Sequence, residues 1–86
     1  MKVYLIEFCG FSFLEGEKQW SAIGQPYFEI EDAIGVAERM GYETYQISSG
    51  TADKKLRVKI NGDNSVVRVL KDKHDRYIII YEKRVL

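Results

Sequence analysis

One cysteine, one histidine and one proline among 86 residues leave little material for several common chemistries. A lone Cys9 cannot build an intrachain disulfide framework, and small secreted domains are normally stapled by several bridges. A zinc site draws three or four convergent ligands from Cys, His and carboxylates, and Cys9 and His74 are the only soft donors. No run approaches the ~20 apolar residues that span a bilayer. The opening Val3-Tyr4-Leu5-Ile6 is cut by Glu7, short of the ~7–15 apolar residues of a secretory signal. The expectation is a cytoplasmic chain with no metal, no cofactor and no membrane contact.

Catalytic constellations are equally thin. Cys9 with His74 is the only nucleophile-and-base pair, yet Cys9 ends an apolar stretch and His74 lies in a charged turn. Glu15 and Glu17 flank Gly16 and read as solvated loop carboxylates rather than an acid–base pair. Ser48-Ser49-Gly50-Thr51 lacks the following helix that a phosphate-cradling loop needs. Asn61-Gly62-Asp63-Asn64 lacks the repeated acidic ligands and closing glutamate of a calcium loop. No enzymatic activity is expected.

What the chain does contain is a globular mixture, 45% hydrophobic and 30% charged, too apolar for disorder. Its length fits one α+β domain over residues 1–86. Lys2–Phe8 reads as a strand, apolar at both parities and therefore central in its sheet. Gly10–Gly16 reads as a turn region, and Lys18–Ile23 returns as a second strand. Pro26 follows, where a ladder donor is lost. Ile30, Ala33, Ile34, Ala37 and Met40 recur at helical spacing, with Glu29, Glu31 and Asp32 at the positive end and Gly41 at the C-cap position. Tyr42–Ile47 follows as a third strand.

Beyond a polar loop at Ser48–Asp53, Leu56, Val58 and Ile60 alternate with Arg57 and Lys59, the period of a strand with one wet face. Asn61-Gly62 then supplies a tight hairpin turn. Val66–Leu70 and Arg76–Glu82 complete a three-strand meander, its last strand apolar on both faces. The predicted order is ββαβ followed by that meander: one helix, about residues 30–40, on a mostly antiparallel sheet of five to six strands.

Two surfaces stand out. Phe11, Phe13 and Leu14 occupy a loop where polar residues are usual, and Trp20 follows closely; these are candidates for a protein interface, or for a lid on a thin core. The second is electrostatic. Three basic residues face eight acidic ones before Thr51, whereas ten basic face five acidic from there on. Arg57, Lys59, Arg68, Lys71, Lys73 and Arg76 make the meander a candidate surface for nucleic acid or an acidic partner. Zero net charge weighs against a dedicated nucleic-acid binder.

The reading is therefore a small non-catalytic protein-interaction module, a regulator or inhibitor acting by surface occupation, as small proteins of phages and other mobile elements do. A nucleic-acid-binding module using the basic meander face is the alternative. A homodimer through an exposed strand edge, in particular that of the final strand, is a further expectation.

Overall fold

Eleven residues at the start of the chain and nine near its end form the long central pair of the sheet. The structure, a computed structural model, describes residues 1–12, 18–47 and 54–85. Its elements are β1 (Lys2–Ser12), β2 (Lys18–Ile23), α1 (Ile30–Arg39), β3 (Glu43–Thr44), α2 (Lys54–Ile60), β4 (Val66–Lys71) and β5 (Arg76–Arg84). The five strands form one antiparallel open sheet in the order β2-β1-β5-β4-β3. The α+β class, the antiparallel sheet and the position of the first helix follow the sequence expectation.

Side-chain alternation divides the sheet into two apolar faces. Ile6, Leu70, Ile78 and Ile80 point to one face, where they pack with Ala33 and Ala37 of α1 and with Tyr42. Cys9, Val69, Tyr77 and Ile79 point to the other, where Leu56 of α2 covers them. Ile78, Ile79 and Ile80 are all fully buried, which requires cover on both sides of β5. The double parity of β1 and β5 noted in the sequence has this cause.

The second helix corrects the predicted strand at Leu56–Ile60, the single-helix count and the three-strand meander: β4 and β5 form a hairpin, and α2 lies across it. The alternation was ambiguous. Leu56 and Ile60 are also four residues apart, so they share one helical face, and Val58 between them is 70% exposed. Lys54, Lys55, Leu56 and Arg57 are moreover good helix formers. Gly62 does adopt the positive φ that Asn-Gly suggested (+75°), but directly beyond the end of α2. The third strand shrinks from the predicted Tyr42–Ile47 to Glu43–Thr44, extended by one bond from the Tyr45 N–H to the Val69 carbonyl. β1 runs on to Ser12, through the first part of the expected turn region.

The final strand is not an edge. β5 lies between β1 and β4, so the homodimer expected through it has no free ladder to use. Among the described residues, the open edges belong to β2 and to the β3/β4 side. Among the described residues, no helix is long and apolar enough to cross a membrane.

Helix α1 ends as its sequence predicted. Gly41 takes φ +92°, its N–H donates to the Glu38 carbonyl, and the Tyr42 N–H donates to the Ala37 carbonyl. This double closure satisfies two orphan carbonyls and drops Tyr42 into the core. A Cβ at Gly41 meets nothing within 4 Å, so a substitution there costs backbone conformation alone. Gly41→Ala is expected to lower the unfolding free energy by about 1–2 kcal/mol, read from urea denaturation at unchanged m-value.

Candidate functional site

The interface candidates and the basic candidates fall in different parts of the fold. The Phe11 backbone pairs with Gln19 in the β1–β2 ladder, while Phe13 and Leu14 lie outside the described residues. Trp20 sits opposite Gly10 on the α1 face of the sheet and keeps 44% of its surface exposed. Its indole rests on the Gly10 backbone; a Cβ there would meet Trp20 Cε2 at 2.7 Å. Glycine at position 10 is therefore the seat of the indole.

The outer edge of β2 is the most sharply defined interaction feature. The Gly24 N–H donates to the Ile6 carbonyl at 2.8 Å, which fixes the phase of the ladder. Lys18, Trp20 and Ala22 share that phase and turn their amide groups toward β1. Gln19, Ser21 and Ile23 turn theirs away from the sheet, and among the described residues no strand lies beyond β2. Ile23 is 71% exposed on this edge, and Phe28 is 70% exposed just past the Tyr4–Tyr27 bridge. Neither residue was picked out in the sequence. Ile23 lies on an outer edge because β2 is terminal, which a pairing order decides and local composition does not.

The six basic candidates do not share one face. Arg57 and Lys59 belong to α2, whereas Arg68 points to the α1 face and donates to Thr44 Oγ1 at 3.0 Å. Lys71 Nζ lies 3.1 Å from Asp75 Oδ1 and 5.0 Å from the Tyr45 ring centre. Arg76 Nε bonds Asp72 Oδ2 at 2.8 Å, and Lys73 stands exposed in the turn between β4 and β5. A cleft of about 720 Å³ opens beside this turn, lined by Met40, Gly41 and Tyr45 together with the hairpin. Its basic side chains Lys71, Lys73 and Arg76 are matched by Glu43, Asp72 and Asp75. Charge there serves the turn itself. Burial pushes the Asp72 carboxyl up, but N–H donation from Arg76 and His74 and the Arg76 guanidinium outweigh it, and its pKa ends below the ordinary value.

Lys59 is committed elsewhere. Glu7, in the middle of β1, is almost buried under α2; one carboxylate oxygen lies 3.1 Å from Lys59 Nζ and the other accepts from Tyr81 Oη at 2.6 Å. A buried carboxylate needs such partners, and Lys59 thereby anchors α2 to the sheet. In the sequence, the one visible trace of this cluster is a glutamate inside a strand apolar at both parities. Burial raises the Tyr81 hydroxyl pKa, helped by its bond to Glu7.

Cys9 adjoins the cluster. Burial pushes its thiol up to about 11, with Lys59 opposing and Glu7 reinforcing the shift. At neutral pH it is a protonated, buried thiol rather than a nucleophile. It sits opposite Tyr77 beneath α2, while His74 is exposed in the hairpin turn. Among the described residues, no group of three or more Cys, His, Asp or Glu side chains could hold a metal ion. Comparison of the chain with protein-family models, with curated proteins and with solved structures finds no match.

Two outcomes follow from the cluster. Lys59→Met, which leaves the Glu7 carboxylate uncompensated, is expected to cost about 3 kcal/mol in urea unfolding, and adding Glu7→Leu should recover most of that loss. The Cys9 thiol is neutral up to a higher pH in the folded than in the unfolded chain. Its contribution is therefore complete below pH 9.0 and lost as pH rises through about 11. Stability should decline between those values, and less steeply in Cys9→Val.

Proposed function

We propose that this protein is a non-catalytic protein-binding module that engages its partner through the β2 edge, and that it regulates or inhibits by occupying that partner's surface. One observation carries the reading. The outward amide row of Gln19, Ser21 and Ile23 meets no further strand among the described residues and is flanked by exposed Trp20 and Ile23 side chains. An extended segment docking there gains main-chain hydrogen bonds from the edge and side-chain contact from its flanks. Sheet edges are normally guarded by charge, proline or a bulge; β2 carries a single lysine, at its first residue. The pairing of Lys59, Lys71 and Arg76 with carboxylates favours this reading over phosphate contacts, because each pair would have to be surrendered to a phosphate.

The reading is tested by capture on immobilised protein from lysate with and without nuclease treatment, comparing the wild type with Ser21→Pro. Proline at 21 removes an outward N–H and leaves the β1-facing donors in place. A protein retained by the wild type and lost by Ser21→Pro is the expected result. Retention abolished by nuclease and unaffected by Ser21→Pro would overturn it and point to Arg57, Lys73 and their neighbours.

A further inference from the structure

We infer that Asn61 is a site of spontaneous deamidation, and that the isoaspartate formed there loosens the junction between α2 and β4. An asparagine converts when the main-chain nitrogen of the next residue attacks its side-chain carbonyl carbon. The new N–Cγ bond closes a five-membered succinimide, the amide C–N bond breaks, and that nitrogen leaves as ammonia with the proton of the attacking N–H. Water then adds to either ring carbonyl and opens the ring to aspartate or isoaspartate. One water is consumed and one ammonia released, with no oxidant or reductant.

Attack is fastest from a nitrogen that no side chain obstructs and no hydrogen bond holds. The chain has two asparagines, Asn61 and Asn64, both exposed in the turn between α2 and β4, and the fold treats them oppositely. After Asn61, the Gly62 N–H makes no hydrogen bond among the described residues, whereas the Asn61 and Asp63 N–H groups on either side donate to the Val58 and Ile60 carbonyls. Gly62 has no side chain to obstruct its own nitrogen. A Cβ there would meet nothing within 4 Å, so the ring has room to close and water can reach it. After Asn64, the Ser65 N–H donates to Asp63 Oδ1 at 2.9 Å, and the Ser65 hydroxyl donates to the same oxygen. Asp63 thus shields Asn64 from a reaction that stays open at Asn61. Giving up that bond before attack slows the step by about fivefold.

Isoaspartate routes the main chain through the former side chain and adds one methylene between the Asn61 Cα and the Gly62 nitrogen. The added length falls where α2 closes. The bond from the Asp63 N–H to the Ile60 carbonyl, 3.1 Å, spans this position. Ile60 packs against the apolar cluster that α2 covers, so a displaced helix end reaches the core. Conversion also replaces a neutral amide by a carboxylate at the negative end of α2, which lowers the formal net charge by one from zero.

The test incubates the folded wild type in mildly alkaline buffer, separates the more acidic form by ion exchange and locates isoaspartate by peptide mapping. Conversion is expected at Asn61, with Asn64 slower by at least about fivefold. In urea that unfolds the chain, Ser65 loses its hold on Asp63, and the ratio of the two rates should fall by about fivefold. Asn61→Gln, which would have to close a six-membered ring, should stay unconverted. The isolated isoaspartyl form should unfold at lower urea, with an unfolding constant about fivefold larger than that of the wild type. Asn61→Asp, which has the charge without the added methylene, should lose less.

Equal rates at Asn61 and Asn64 in the folded protein, or a ratio that urea leaves unchanged, overturn the selection of Asn61 by the fold. An isoaspartyl form as stable as the wild type, or an Asn61→Asp variant as destabilised as the isoaspartyl form, overturns the loosening of α2 by the lengthened backbone.

Discussion

The burial of β5 on both faces is the constraint from which the rest of the structure follows. Three consecutive isoleucines, Ile78, Ile79 and Ile80, alternate across the sheet, and none retains exposed surface. A strand of that composition is stable only with strands on both sides and cover above and below. β1 and β4 supply the first; α1 and α2 supply the second. Without α2, Ile79 and Tyr77 would face water beside Cys9 and Val69, a loss no surface interaction in so small a domain could offset.

The two covers are built differently. Helix α1 spans ten residues and lies close to the sheet through Ala33 and Ala37, both fully buried. Helix α2 spans seven and buries one side chain completely, Leu56. Its hold on the sheet is supplemented by Lys59, whose ammonium meets Glu7 beneath it. A carboxylate in the centre of an apolar strand is thereby both a cost and an orienting device: it is satisfied only when α2 sits in the position that brings Lys59 and Tyr81 together. Burial beneath α2, with Lys59 opposing, keeps the Cys9 thiol protonated near neutral pH.

Much of this architecture was legible in the residues. Dual-parity apolar runs marked β1 and β5 as central, the 3.6-residue spacing marked α1, and Gly41 marked its end. Leu56–Ile60 reads as a strand in the sequence and is helical in the fold, because so short a stretch does not separate a period of two from a period of 3.6: Leu56 and Ile60 satisfy both. Asn61-Gly62 adds to the ambiguity, since a hairpin turn and a helix terminus ask glycine for the same positive φ. The candidate site was legible in part. Trp20 was singled out by its chemistry, but Ile23 and the outward row of β2 acquire meaning only once the pairing order is known. The basic candidates show the complementary failure. The charge asymmetry along the chain does not become one basic patch, because Arg76, Lys71 and Lys59 lie on different elements and pair with Asp72, Asp75 and Glu7.

The pairing of β1 with β5 also sets the order in which the molecule can be made. The register joins Lys2 to Arg84 and Gly10 to Arg76, and the Val85 N–H reaches the Met1 carbonyl at 2.9 Å. The first strand of this sheet in sequence is thus completed by its fifth. During translation β1 can find only β2, a hairpin too small to persist alone in water. Its other edge, and the apolar face of Ile6, stay unsatisfied until β5 emerges. Folding of this domain therefore waits on β5 and has high contact order, and the interval before β5 arrives is when its hydrophobic strands are most in need of protection.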